Sequence, residues 1–152
     1  GNTIVPSAEF NIAFDPEAAA IVFRRWQGIE LVDWELTMAV APLASEVDEW
    51  LARPRNTARW LHGITRPTAQ FMVSNQFERW TWADPLAAWV ALQPQAVLQW
   101  SQAPIEVALA QGPTRGQTVI DWHGMGGFRG PKVSMARRVD PAGFHAAMQS
   151  VL

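Results

Sequence analysis

The chain has 152 residues, 49% of them hydrophobic, which is enough for one core and one ordinary domain. Its formal net charge is −2 and the Arg24-Arg25 and Arg137-Arg138 pairs are short and isolated, so no basic stripe exists to neutralise phosphates and nucleic acid is not expected as a partner. No apolar run approaches the roughly 20 residues of a membrane span, and cysteine is absent, which excludes disulfide and thiolate chemistry. Membrane is therefore not an expected partner; the compartment stays open, with the cytoplasm as the default expectation.

The first regular element is signalled by Asp15-Pro16-Glu17: an N-cap aspartate, a proline at the first helical position, and a carboxylate near the positive end of the helix dipole. The helix should run through "AAAIVFRRW" to Gly28, where glycine is a natural stop. "IELVDWELTMAV" (29–40) alternates apolar and other residues and predicts a strand. Helix followed by strand is the rhythm of an α/β sheet. Residues 45–64 read as helical, with Ser45 and Asp48 available as caps and Pro54 expected to break or restart the helix. Residues 70–79 predict another helical stretch, and "DPLAAWVALQP" (84–94) a further Asp-Pro helix start. From Ile105 onward "IEVALAQG", "GQTVIDWHG" and "PKVSMARRV" read as three short strands, and "DPAGFHAAMQSVL" closes the sequence as a helix.

The opening "VPSAEFN" places a carboxylate and an amide two positions apart among apolar neighbours. If this segment is extended, Glu9 and Asn11 point the same way while Phe10 points oppositely, into a core. A carboxylate beside an amide can accept from and donate to two neighbouring sugar hydroxyls. The plainer alternative is that both satisfy backbone groups around the start of the Asp15 helix, and spacing alone favours it. Asp84 has the same ambiguity, since an N-cap aspartate needs no further purpose. His62, His123 and His145 share no metal-ligand spacing. "GMGG" (124–127) lies between strand patterns and reads as a turn, not a phosphate cradle.

The stretch "GNTIVPSAEFNIAFDPEAAAIVF" resembles the signature of the inosine-uridine-preferring nucleoside hydrolases, in which Gly-Asn is followed by Pro-x-Ala-Glu-Phe-Asn and then Asp-Pro-Glu-Ala-Ala. "LVDWELT" (31–37), "WADPLAAWVAL" (82–92) and the tail from "GQTVIDWHG" through "VSMARRVDPAGFHAAM" are similar to later blocks of that family, in the same order. The resemblance implies an α/β, Rossmann-like, mostly parallel sheet with flanking helices, and hydrolysis of the N-glycosidic bond of ribonucleosides with a bound calcium ion. It implies that Asn2, Glu9 and Asn11 grip ribose hydroxyls and that Asp84 is a calcium ligand. It also implies a homo-oligomer.

The family's Asp-x-Asp-x-x-x-Asp-Asp cluster, which supplies most calcium ligands, does not occur here; the aspartates stand at 15, 33, 48, 84, 121 and 140. Residues 1–152 are accordingly expected to be the C-terminal portion of a single nucleoside hydrolase domain, with the metal-binding portion on a further segment. Many members carry His before the later metal aspartate, where this chain has Ala83. Other members have an aromatic residue there to stack on the base. Trp82 could do so, its alternative being an ordinary buried indole.

Overall fold

The computed structural model describes residues 6–152; Asn2 lies outside them. The described residues form seven α-helices, one short 3-10 helix (Pro94–Ala96) and four strands. The α-helices are α1 (Phe10–Phe14), α2 (Pro16–Arg25), α3 (Trp34–Val40), α4 (Ala44–Leu51), α5 (Asn56–Ser74), α6 (Ala83–Leu92) and α7 (Pro141–Val151). The strands are β1 (Glu30–Leu31), β2 (Val97–Val107), β3 (Thr118–Ile120) and β4 (Lys132–Val139). The chain divides into two compact units. One holds the stretch up to Trp34 with Gln99–Arg138; the other holds Glu35–Leu98 with Val139–Leu152.

The first unit carries the sheet, in the order β1-β4-β2-β3. β1 pairs with β4 in parallel, Glu30 opposite Ser134, whereas β2 pairs with β3 antiparallel, Ile105 opposite Ile120. The sheet is thus mixed, where a mostly parallel one was expected. The antiparallel pair arises because the short loop between β2 and β3 returns the chain beside itself, a connection too short for the crossover that a parallel pair needs. Alternation on β2 buries Ala103, Ile105 and Val107 against Val133 and Met135 of β4, and Ala20 and Phe23 of α2 complete that core. Strand β2 begins eight residues before the pattern that signalled it, and Pro104 lies inside it. Proline removes only the donor at that position; the Pro104 carbonyl still accepts from the Asp121 N–H at 3.1 Å.

The second unit is helical. Val47, Trp50 and Leu51 of α4 pack with Ala58 and Met72 of α5, Trp80 and the terminal Leu152. Arg53 links the α4–α5 turn to α7, donating to the Gln149 carbonyl at 2.9 Å and to Gln149 Oε1 at 2.7 Å.

Several expectations need correcting. The strand predicted over 29–40 is two residues long, and 34–40 is helix α3, in which Leu36, Thr37 and Val40 are buried. Leu36 and Val40 fit an i, i+4 face as well as they fit alternation, so a short segment could not decide between the two periods. Neither Ser45 nor Asp48 caps α4; the Glu46 carboxylate instead accepts from the Leu43 N–H at 2.7 Å. Pro54 does separate two helices, but Pro67 does not end α5, which runs on to Ser74.

Candidate functional site

Glu9 and Asn11 stand at the beginning of α1, within the first unit. The extended arrangement is not observed; the capping alternative is, though at α1 and not at the Asp15 helix. Glu9 is the N-cap: Oε2 accepts from the Asn11 N–H at 2.9 Å and the Ile12 N–H at 3.3 Å, and Oε1 from Asn11 Nδ2 at 3.4 Å. Phe10 is helical and 59% exposed, so it does not anchor the segment in a core. The anchor is Ala8, fully buried. Gly116 makes room for it: a Cβ there would stand 3.1 Å from Ala8 Cβ and 3.3 Å from Ala13 Cα, and its φ of +84° suits glycine. Ser7 Oγ donates to the Pro113 carbonyl at 2.6 Å, fixing the same approach. Carboxylate and amide are therefore brought side by side, through capping instead of strand alternation. A carboxylate has about four lone-pair sites, so a capping role and a contact to a hydroxyl are compatible.

Glu17, in the first turn of α2, is held by Arg115 at 2.7 and 2.8 Å. The hydrogen bond from that guanidinium keeps its carboxyl below the ordinary glutamate range. Sequence reading missed this pair because 98 residues separate its members. The same holds for Arg137, which pairs with Asp33 at 3.1 Å and lies over the Trp122 ring at 5.3 Å.

Trp82 and Asp84 stand at the beginning of α6, in the second unit. Here the helix starts one residue before the Asp-Pro pair: Trp82 is the N-cap, Ala83 the first helical residue and Asp84 lies inside the first turn. The expectation of an N-cap role for Asp84 is overturned. No side chain caps this helix, and among the described residues none donates to the Asp84 carboxylate. What fixes the start is aromatic packing. The Trp82 ring is tilted against Trp50 at 6.0 Å and edge-on to Trp80 at 6.2 Å, while Trp80 is buried and its backbone N–H donates to the Pro42 carbonyl at 3.0 Å. Trp82 itself is half-buried, so its indole is shared between this cluster and solvent.

The donor set bears directly on a metal. Calcium takes about six to eight oxygens. Among the described residues no three His, Cys, Asp or Glu side chains come together to hold an ion. Asp84 offers one carboxylate, exposed at the positive end of a helix dipole. These residues do not by themselves fit a calcium site.

A mixed α/β sheet with polar side chains gathered at helix starts defines a protein of the α/β class. The family described as inosine-uridine preferring nucleoside hydrolase matches residues 1–146, and the chain belongs to it. The inosine-uridine preferring nucleoside hydrolase of Crithidia fasciculata is 32% identical over 129 residues, covering 82% of this chain and 38% of its own length. The pyrimidine-specific ribonucleoside hydrolase RihA of Enterobacter sp. (strain 638) is 28% identical over 148 residues, covering 91% of this chain and 44% of its own. Among solved structures, an inosine-guanosine nucleoside hydrolase superposes with a TM-score of 0.84 at 26% identity, over 99% of this chain and 47% of that one. The chain thus spans less than half the length of these relatives. No helix among the described residues is long and apolar enough to cross a membrane.

Proposed function

We propose that residues 1–152 are the C-terminal portion of a single nucleoside hydrolase domain that cleaves the N-glycosidic bond of ribonucleosides to ribose and free base. The observation that carries this reading is the family match from residue 1 to 146, which runs through every residue assigned to the site. In it, Asn2, Glu9 and Asn11 bind ribose hydroxyls, Trp82 stacks on the base and Asp84 contributes one ligand to calcium. The remaining ligands come from a segment outside these 152 residues, because the residues described here do not complete the site.

The chain's own contribution to the chemistry is positional and electrostatic. Cleavage of the glycosidic bond passes through an oxocarbenium-like state, and a fixed carboxylate beside the sugar stabilises the developing positive charge. Glu9 suits that task because its two hydrogen bonds to backbone N–H groups hold it in place before substrate arrives. Asn11 is oriented by its contact to Glu9 Oε1. Ala83 cannot protonate a leaving base, so this chain supplies no acid at that position.

A second reading is a non-catalytic sugar- or nucleoside-binding protein, favoured by the absence of a metal-ligating cluster among the described residues. Release of reducing sugar from inosine and uridine, measured on the complete protein with calcium, separates the two. Ribose release that Glu9→Ala abolishes supports hydrolysis. Saturable nucleoside binding without release sinks it and leaves the binding reading.

A further inference from the structure

We propose that His145 is a positioning residue for Trp82, acting through Trp50 to fix the plane of the indole on which the base stacks. The inference rests on the reading of Trp82 as the stacking residue. His145 lies on α7, in the same compact unit as Trp50 and Trp82. One link to Trp82 runs along the backbone. His145 Nε2 lies 2.8 Å from the Val40 carbonyl. A carbonyl only accepts, so this nitrogen carries the proton and donates. Val40 is buried and ends α3, where the last carbonyls have no donor within the helix. The next two carbonyls are also taken: Ala41 accepts from Arg79 Nη1 at 2.7 Å, and Pro42 from the Trp80 backbone N–H at 3.0 Å. Residues 40–42 thereby join α7 to the segment that leads into Trp82.

The other link runs through rings. The His145 imidazole is tilted against Trp50 with centroids 5.5 Å apart, and Trp50 is tilted against Trp82 at 6.0 Å. Both separations fall within the roughly 4.5–7 Å over which aromatic pairs hold preferred angles. Trp50 is buried, so it has no solvent to move into, whereas Trp82 is half-buried and its angle depends on what backs it. Glutamine at 145 could donate to the Val40 carbonyl but offers no ring to Trp50. Phenylalanine could meet Trp50 but offers no donor. Histidine does both. Its mount is held at each end, since Asp140 caps the start of α7 and Arg53 donates to Gln149 near the finish. An imidazole so held passes the position of α7 on to the face of Trp82 that meets a base.

Two measurements on the complete protein with calcium test it. The first is the proton NOE between the Trp50 and Trp82 rings, assigned from the indole resonance that each of Trp50→Phe and Trp82→Leu removes. His145→Gln should weaken that NOE, and His62→Gln, on an exposed position of α5, should not. An NOE that His145→Gln leaves at full strength overturns the proposal. The second is a double-mutant cycle on inosine hydrolysis. Trp82→Leu should raise KM about fivefold or more, as loss of base–aromatic stacking does. His145→Gln should raise KM in the parent and add nothing in the Trp82→Leu protein. An equal rise in both backgrounds is what a merely structural histidine gives, and it too overturns the proposal. If Trp82→Leu leaves KM unchanged, the stacking reading fails and the NOE alone decides whether His145 positions Trp82. Circular dichroism verifies that each variant is folded, and His145→Leu, which keeps apolar volume without the ring, is a second variant with the same expected pattern.

Discussion

Helices α6 and α7 both begin near an Asp-Pro pair and belong to the same unit, yet the two aspartates do different things. Asp140 sits outside its helix and caps it, accepting from the Ala142 and Gly143 N–H groups at 3.1 Å each. Asp84 sits inside the first turn of its helix and caps nothing. Asp15, at α2, behaves like Asp140, accepting from the Ala18 N–H at 2.9 Å. The difference lies upstream. Trp80 and Trp82 are held by an aromatic cluster, and the helix starts where that cluster fixes the backbone, two residues before the dipeptide would have started it. A cap is thus a default that packing can override. The override leaves the Asp84 carboxylate without a capping role among the described residues.

If packing rather than capping sets the start of α6, the largest effect should come from the cluster. Trp80→Ala removes a buried indole and should cost about 3–5 kcal/mol in urea denaturation. A loss below about 1 kcal/mol would return the decision to local sequence. Asp84→Asn comes next. It should leave the urea midpoint unchanged but lower calcium affinity of the complete protein by about 100-fold or more, since even partners beyond the ligand shell are worth 10–100-fold. Calorimetric affinities equal for Asp84→Asn, Asp140→Asn and the parent would eliminate the metal role. Asp140→Ala should lose about 1 kcal/mol of stability while Asp140→Asn is near neutral, because asparagine caps as well as aspartate. Equal losses for the two would show that Asp140 acts through its charge.

The smallest effect concerns Glu17, which occupies the same second helical position in α2 that Asp84 occupies in α6. Among the described residues it has a charged partner that Asp84 lacks, and the Arg115 hydrogen bond lowers its pKa. A carboxyl with a depressed folded-state pKa adds stability above its ordinary pKa and loses it as pH falls through the folded value. The pair is exposed and solvent-screened, so the loss on acidification should be small. Arg115→Gln should return the Glu17 titration, followed by NMR, to the ordinary glutamate range. An unchanged titration would mean that the backbone, not the guanidinium, holds the carboxyl.

Much of the fold was legible in the residues themselves. Asp15-Pro16 and Asp140-Pro141 placed α2 and α7 because capping depends on neighbours within one turn, and Pro54 marked the break between α4 and α5 for the same local reason. Three of the four strands showed as apolar alternation bounded by glycine and proline. The sequence by itself also determined that the chain belongs with the nucleoside hydrolases, since a linear block such as "PSAEFN" needs no folding to be read. Tertiary structure alone decided the rest. It turned 34–40 into helix against an alternating pattern, and it carried α5 through Pro67, because buried faces outweigh propensity where the two compete. It put Glu9 on the cap of α1 and not of the Asp15 helix, with the neighbouring Ala8 seated by a glycine more than a hundred positions away. And it moved Asp84 from the cap into the first turn, because the position of a backbone gripped by three tryptophans is set by contacts that no local window contains.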